Sequence, residues 1–171
     1  MSPKGFSYLW ARRLDEAIAS FRTALTLSPG YRAAHYRIGV ALLLKGESQA
    51  ALAEMQQEQL VSKRLEGEVI AYSALGQAVA SNAALDELID KTEHGGAYNI
   101  AYVLAFRGEA DRAFAWLDKA VRYNDTGLTQ ITSQLEFTNI HTDPRWLPFL
   151  KSIDMSPEQL DVIEFKVTLP E

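Results

Sequence analysis

The chain has 171 residues, of which 47% are hydrophobic, and its net charge at neutral pH is −5. This length suits one compact domain or a short repeat array, and the hydrophobic fraction argues against a disordered chain. The absence of cysteine excludes disulfides, thiolate catalysis and cysteine-ligated metal sites. We expect no nucleic-acid partner for this chain alone, because phosphate binding requires clustered Lys and Arg.

Neither a membrane span nor a signal peptide is predicted. The longest apolar run, residues 38–44, is followed by Lys45 and falls far short of the roughly 18 residues that a spanning helix needs. The first residues, Met1 to Gly5, lack the apolar centre of a signal peptide. We therefore expect a cytoplasmic protein without a membrane partner, unless the chain is a piece of a longer protein.

A sequence pattern recurs along the first two thirds of the chain. The pattern occurs at residues 45–52 and again at 107–114. It consists of a cation, Gly and Glu, then three variable residues, then Ala and an apolar residue. Residues 14–21 carry the second half of this pattern, and residues 75–88 carry a weaker copy. The anchoring residues are spaced by 34, 33 and 29 positions and are Ala17, Ala51, Ala84 and Ala113. A period near 34 residues predicts stacked helix–turn–helix units.

The residues around these alanines predict where helices end and cross. Pro29 ends the helix that closes at residues 27–28, and the next helix begins near Tyr31. Gly46 suits the turn of the second unit, because glycine tolerates backbone angles that other residues avoid. Gly39 and Ala51 are the small residues expected where the two helices of that unit cross.

The third unit departs from this spacing. Gly76 and Ala84 are three residues further apart than Gly46 and Ala51. We interpret the difference as an enlarged turn in the third unit.

Beyond residue 124 the repeat pattern stops, and the sequence predicts a terminal cap over residues 125–171. Residues 129–137 favour a short helix. Asp143 and Pro144 predict an N-cap and a first-turn proline for a helix that runs through Leu150. We expect such a segment to cover the last apolar face of the repeat array.

The end of this cap contains two further patterns. Residues 156–159 have the capping-box sequence of a helix that extends to about Glu164. Residues 165–169 alternate apolar and polar side chains, which predicts a half-buried strand. The alternative to a cap is a segment that adds to a partner's strand or inserts into a neighbour's groove.

On these residues the chain resembles a tetratricopeptide-repeat protein over about residues 4–124. The residues that fall where that family's motif expects them are Ala17, Phe21, Ala24, Pro29, Gly39, Gly46 and Ala51. The resemblance implies an all-α, right-handed superhelical solenoid of about four units over residues 1–124, with a non-repeat C-terminal cap. The first unit is clipped at its leading helix and the third is irregular, while the units at about 31–62 and 96–124 are well formed. Glu58 and Lys63 stand where the motif favours Ala and Pro.

A narrower resemblance covers about residues 70–171. This part of the chain is similar to the C-terminal repeat region of certain bacterial signalling proteins. The residues that carry the similarity are Tyr98, Trp116-Leu117, the run from Asp143 to Trp146 and the final segment 160–170. In those proteins a nucleotide cyclase or a winged-helix DNA-binding domain precedes the repeats, and neither domain is present here. The resemblance implies a sensory or docking module of a larger signalling or regulatory system.

The sequence contains no pattern typical of catalysis. The three histidines, His35, His94 and His141, have no companion at metal-ligand spacing. Phosphate-binding glycine loops and the Gly-x-Ser-x-Gly nucleophile motif are absent from the sequence. We therefore expect no enzyme activity, no cofactor and no metal. A buried pocket with converging polar groups would be needed to support an enzyme or a small-ligand sensor.

The leading helices of a repeat array of this kind line its concave surface. Tyr98, Tyr102 and Phe106 are four residues apart, so they form one aromatic stripe on a helix, and aromatic rings are frequent anchors of interfaces. The same stripe is also compatible with a core position. The predicted partner-binding groove consists of Tyr36, Val40, Leu43, Ile70, Tyr98, Tyr102 and Phe106.

We therefore predict a protein–protein interaction scaffold that binds a hydrophobic or Pro-containing peptide, or an amphipathic helix, in an aromatic-rich groove. The alternative is a homo-oligomerisation module that acts through the solenoid ends and the tail. The clipped first unit and the uneven charge favour this alternative, since residues 1–45 carry +5 and residues 46–171 carry −10.

Overall fold

The computed structural model describes residues 3–92 and 95–162, and this part of the chain is helical without any strand. The predicted all-α class is therefore confirmed for the described residues. Two sequence-based predictions, the strand at 165–169 and the role of His94, concern residues outside the described part. The long helices are α1 (Pro3–Trp10), α2 (Leu14–Leu27), α3 (Ala34–Leu44), α4 (Ser48–Met55), α5 (Val61–Ala74), α6 (Ala78–Thr92), α7 (Ala97–Phe106) and α8 (Ala110–Arg122).

After α8 the chain becomes less regular. Two short 3-10 helices, Thr126–Gln130 and Leu135–Ile140, precede α9 (Trp146–Ser152) and α10 (Pro157–Leu160). The single short helix predicted at 129–137 is therefore replaced by two 3-10 turns. In the described part of the chain no helix has the length and apolarity that crossing a membrane requires.

The first eight helices pack as four consecutive pairs. Within the pairs α1 contacts α2, α3 contacts α4, α5 contacts α6, and α7 contacts α8. Successive pairs meet through α2 and α3, α4 and α5, and α6 and α7. The helices α3, α5 and α7 also contact one another in that order, so they stand side by side as one layer of the protein.

Each of the four pairs turns through the same backbone conformation. The turn residue has a positive φ of 54°, 81°, 70° or 75° at Arg12, Gly46, Gly76 and Gly108, respectively. The N–H of the following residue donates to the carbonyl oxygen five residues earlier at 2.8 to 3.0 Å in all four turns. This bond pattern satisfies carbonyl groups that a helix end otherwise leaves unpaired.

Arg12 takes the left-handed conformation without being a glycine, which costs an ordinary side chain roughly 1 kcal/mol. We expect Arg12→Gly to raise the free energy of unfolding by up to about 1 kcal/mol, whereas Arg12→Ala keeps the strain and gives no gain. Chemical denaturation of the two variants beside the wild type checks this. A stabilising Arg12→Ala would contradict the backbone explanation.

Alignment of the four turns corrects the predicted position of the buried small residue in the third repeat. The residue five positions after each turn residue is at most 1% exposed, and these four residues are Ala17, Ala51, Ser81 and Ala113. Ser81 therefore takes the place that the sequence assigned to Ala84, and the enlarged turn is not found. The Ser81 hydroxyl donates to the Val69 carbonyl at 2.8 Å, which satisfies its buried polar group. The distance from turn to buried small residue is therefore five positions in the third unit as in the others.

The closest contact at Gly39 is made with Met55 of α4. A Cβ added at Gly39 would lie 2.5 Å from the Cγ atom of Met55, and the two next nearest atoms also belong to Met55. From the other side, a Cβ added at Gly67 on α5 would lie 2.7 Å from the same Met55 atom. Met55 is wholly buried, so two glycines on neighbouring helices make room for one methionine side chain.

Both ends of the described chain are built as short helical caps. The first unit keeps a leading helix of eight residues, and Gly5 in it lies against the ring of Phe21. At the other end, the N–H of Ser156 donates to Oε1 of Gln159 at 3.1 Å. This contact confirms the predicted capping box, although α10 itself has only four residues.

The helix predicted from Asp143 and Pro144 begins at Trp146, two residues later than expected. The Asp143 carboxylate accepts from the Arg145 backbone N–H at 2.9 Å and from its guanidinium. The hydrogen bonds from Arg145 lower the pKa of Asp143 to about 2. The carboxylate therefore closes the turn before α9 rather than capping the helix itself.

Candidate functional site

The structure brings the predicted groove residues together on one layer. Tyr36, Val40 and Leu43 lie on α3, Ile70 lies on α5, and the aromatic stripe lies on α7. Four of these side chains line a single depression together with Leu44 and Leu135; they are Val40, Leu43, Ile70 and Phe106. We call the surface formed by the seven predicted residues the odd-helix face.

This face is not open, which corrects the expectation of an accessible groove. Leu43 and Phe106 are half-buried, and the other five residues are no more than 6% exposed. The chain itself covers them with residues 125–140, which we call the covering segment. Both 3-10 helices of this segment contact α7. The sequence suggested a cap for this region but did not indicate that it lies on the face of the leading helices.

The start of the covering segment is fixed at the beginning of α7 by Asp125. One carboxylate oxygen of Asp125 accepts from the N–H of Gly127 at 2.9 Å, and the other accepts from the N–H of Tyr98 at 3.0 Å. A Cβ added at Gly127 would lie 2.6 Å from Cγ of the Tyr98 ring. The backbone of the segment therefore lies directly on an aromatic ring of the predicted stripe.

Phe137 is the aromatic centre of the covering segment. It is wholly buried, and its ring centroid lies 5.6 Å from that of Tyr98 and 6.4 Å from that of Tyr102. Trp146 of α9 is 5.5 Å away on another side. Edge and tilted contacts of this kind stabilise aromatic groups beyond the area that they bury. The predicted aromatic stripe therefore packs against an aromatic side chain of its own polypeptide, Phe137.

Glu136 connects the covering segment to α3. The Tyr36 hydroxyl donates to Oε1 of Glu136 at 2.6 Å, and the Gln134 side-chain amide donates to Oε2 at 2.8 Å. At the far end of the segment, the amide of Asn139 donates to the Phe106 carbonyl at 2.6 Å. The segment is therefore bound across the face from α3 to the end of α7.

A second carboxylate lies beneath the segment on α5. Glu66 is fully buried, and its oxygens accept from Lys63 Nζ at 2.6 Å and from the Asn99 amide at 2.5 Å. The Tyr102 hydroxyl also donates to Glu66. Lys63 Nζ lies 5.2 Å from the ring centroid of Tyr36 and 5.3 Å from that of Tyr102. One lysine thus links both tyrosines of the face to the buried carboxylate.

Burial sets the protonation of these groups. It raises the pKa of Tyr36 and of Tyr102 well above the usual value, and the nearby carboxylates raise it further. The two phenols therefore remain hydrogen-bond donors. Burial also raises the pKa of Glu136, an effect that the hydrogen bond from Tyr36 partly opposes.

The raised pKa of Glu136 gives stability a pH dependence with a definite sign. The folded state binds the proton more readily than the unfolded state, so this contribution is complete below about pH 4.5 and is lost as pH rises through the raised value. We expect Glu136→Gln to gain unfolding free energy relative to the wild type as pH rises from about 4 to about 8. Urea titrations of both proteins at several pH values measure the difference. A constant difference would show that Glu136 titrates normally in the folded protein.

Four residues of the face were not predicted from the sequence: Lys63, Asn99, Glu136 and Phe137. One signal was present. Lys63 and Glu66 are three residues apart on α5, and such residues share a helix face. The sequence therefore places a cation and a carboxylate together on the helix that also carries Ile70. The covering segment gave no comparable signal, because its contacts with α3 span up to 100 residues of sequence.

The remaining space on the face is small. The two depressions beside the covering segment enclose about 50 and 60 Å³, whereas pockets for drug-sized ligands measure roughly 300–1,000 Å³. Across residues 3–92 and 95–162 no group of three or more His, Asp or Glu side chains is placed to hold a metal ion. His35 lies 2.9 Å from a Glu54 oxygen, and His141 stacks on Trp146 at 4.6 Å.

Comparison with known proteins adds no assignment: no protein-family model, no curated protein and no solved structure matches this chain. The function is therefore inferred from the odd-helix face.

Proposed function

We propose that this protein is a tetratricopeptide-type scaffold, without catalytic activity, that binds a polypeptide on the odd-helix face. The observation that carries the proposal is the way in which this face engages the covering segment. The Tyr36 hydroxyl donates to a carboxylate of the segment, and the rings of Tyr98 and Tyr102 pack against its phenyl ring. At the end of α7, a backbone carbonyl accepts from a side-chain amide of the segment. These are contacts of the kind that a peptide-binding surface makes with its ligand.

The internal repetition supports the tetratricopeptide part of the proposal. The four buried small residues that follow the turns are spaced by 34, 30 and 32 positions, close to the 34-residue period of that repeat. The contacts of α3 with α5 and of α5 with α7 suit a stack in which each unit packs on its neighbours. A right-handed superhelix and a docking role in a bacterial, cytoplasmic signalling system are parts of the same proposal.

The accessible end of the face indicates where a partner makes its first contact. Leu44 is 37% exposed, and it borders the 60 Å³ depression with the half-buried Leu43 and Phe106. The surface of the depression is almost entirely apolar, and the covering segment contributes Leu135 and Glu136 to its lining. An apolar side chain of a peptide fits this position better than a charged or small polar molecule does.

Selection from a random peptide library on the immobilised full chain tests this function. The affinities of the selected peptides are then measured for the wild type, Leu43→Glu and Val79→Glu. Leu43→Glu places a charge in the apolar depression, and we expect a loss of at least about tenfold, equivalent to 1.4 kcal/mol. Val79 is 86% exposed on α6, so the same substitution there provides the matched control and leaves binding unchanged.

Two results would reject the proposed site. One is selected peptides that bind Leu43→Glu as tightly as they bind the wild type. The other is an equal loss of affinity in the two Glu variants, which would indicate a general effect of charge. Thermal unfolding of both variants shows that any loss arises in a folded protein.

A further inference from the structure

We infer that the covering segment is an intramolecular ligand of the odd-helix face, and that the partner which replaces it carries an acidic residue followed directly by an aromatic residue. This inference rests on the proposed function, since it names the chemistry of the partner and the device that regulates its access. The partner occupies the positions that Glu136 and Phe137 now fill.

The burial pattern of the covering segment is that of a bound peptide rather than of a core helix. Among residues 126–140 most side chains are exposed or half-buried, and the four buried ones are Ile131, Glu136, Phe137 and Ile140. The segment has only two 3-10 turns of its own, and such turns have poorer hydrogen-bond geometry than α-helices. Its position therefore depends on a few side chains that enter the face.

The acidic position is defined by the hydrogen bonds that Glu136 accepts. The Tyr36 hydroxyl donates to Oε1 at 2.6 Å, and the Gln134 amide donates to Oε2 at 2.8 Å. Burial raises the pKa of Glu136, and the hydrogen bond from Tyr36 and the positive charges of Lys63 and Arg37 oppose this effect only in part. A carboxyl group supplied by a partner would therefore meet the Tyr36 hydroxyl as its donor. The sequence favours a hydrophobic or Pro-containing peptide, or an amphipathic helix, because these contacts are not visible in it.

The aromatic position lies one residue further along the peptide. Tyr98 and Tyr102 belong to α7 and remain in place when the covering segment leaves, so they can receive an aromatic ring from another chain. The Tyr98 hydroxyl is buried and has no hydrogen-bond partner among the described residues. A buried donor without a partner is costly, so a peptide that places an acceptor there gains an interaction that the covering segment does not make.

A tethered ligand competes at a high effective concentration, in the millimolar range for short flexible linkers. The apparent affinity of a partner is reduced by the fraction of molecules in which the face is free. The covering segment therefore acts as an autoinhibitory element, and variants that weaken it raise the affinity for peptides of the same chemistry.

The probe is a fluorescein-labelled peptide with the sequence of residues 131–141, and its binding to the full chain is measured by fluorescence anisotropy. The released variant is Phe137→Ala, which removes the buried ring but leaves α3, α5 and α7 unchanged. We expect this variant to bind the probe at least about tenfold more tightly than the wild type does. A control peptide in which Ala replaces both the Glu and the Phe of the probe lacks the acceptor for Tyr36 and the aromatic ring, and it should not bind.

A second variant, Gly127→Leu, controls for the loss of packing that Phe137→Ala causes. Gly127→Leu displaces the start of the covering segment from the Tyr98 ring while retaining Glu136 and Phe137. We expect it, too, to bind the probe more tightly than the wild type, with a helical circular dichroism signal close to that of the wild type.

The inference is overturned if both variants lose the helical signal, because the segment is then an essential part of the fold. It is equally overturned if folded variants bind the probe no better than the wild type does. If library peptides then still bind the wild type more tightly than Leu43→Glu, the proposed function stands although this inference fails. The failure of the inference and the failure of the proposed function are therefore distinguishable.

Discussion

Gly39→Leu is expected to lower the free energy of unfolding by about 3 kcal/mol, at the upper end of what overpacking usually costs. The added side chain would enter the space of Met55, whose Cγ lies 2.5 Å from the position of a Cβ at Gly39. Met55 has little room to move away, because α5 packs closely on its other side, where a Cβ added at Gly67 would lie 2.7 Å from the same Cγ atom. Denaturant unfolding followed by far-UV circular dichroism measures the loss.

Gly30 provides the matched control for this substitution. A Cβ at Gly30 meets no atom within 4 Å, so Gly30→Leu should change stability by less than about 0.5 kcal/mol. The clash is tested further by placing Gly39→Leu in a Met55→Ala background, where the cavity can accept the new side chain. If the cost of Gly39→Leu were undiminished there, Met55 would not be the residue that it meets.

Lys63→Met is expected to cost about 2–3 kcal/mol, because it leaves the Glu66 carboxylate buried without its cation. The expected cost is below that of breaking a fully buried pair, since the Lys63 side chain is 22% exposed and partly screened by solvent. The substitution also removes the hydrogen bond from Lys63 to the Tyr102 hydroxyl. Equilibrium unfolding in urea at neutral pH provides the measurement.

The surface pair of Lys91 and Glu87 provides the comparison for this variant. Their charged atoms are 3.7 Å apart, and both side chains are about half exposed at 47% and 50%. Lys91→Met should therefore cost less than about 0.5 kcal/mol. Adding Glu66→Gln to Lys63→Met should restore part of the lost stability, because the uncompensated charge is removed. Equal effects of the two lysine substitutions would show that Glu66 does not depend on Lys63.

Local signals in the sequence were sufficient for the helix pairs and most of their turns. Gly46 and Gly108 were recognisable because a left-handed turn favours a residue without a Cβ. Arg12 adopts the same conformation and gave no such signal. The all-α class was predicted from the repeat spacing near 34 residues and from the family resemblance that this spacing supports.

The odd-helix face shows what required the tertiary structure. Pattern alone placed Tyr36, Tyr98 and Tyr102 on leading helices, and this placement agrees with the structure. It did not decide whether the aromatic stripe was covered, because a helix face that buries against a partner has the same composition as one that buries against its own chain.

The sequence by itself therefore determined that the second, third and fourth units are helix pairs, at which glycines they turn, and which side chains share a face, since these depend on neighbours within a few positions. Only the tertiary structure decided that Ser81 replaces Ala84, that Met55 lies between Gly39 and Gly67, and that residues 125–140 occupy the face. Each of these depends on contacts between residues distant in sequence, and such contacts are selected by shape and by the pairing of buried polar groups.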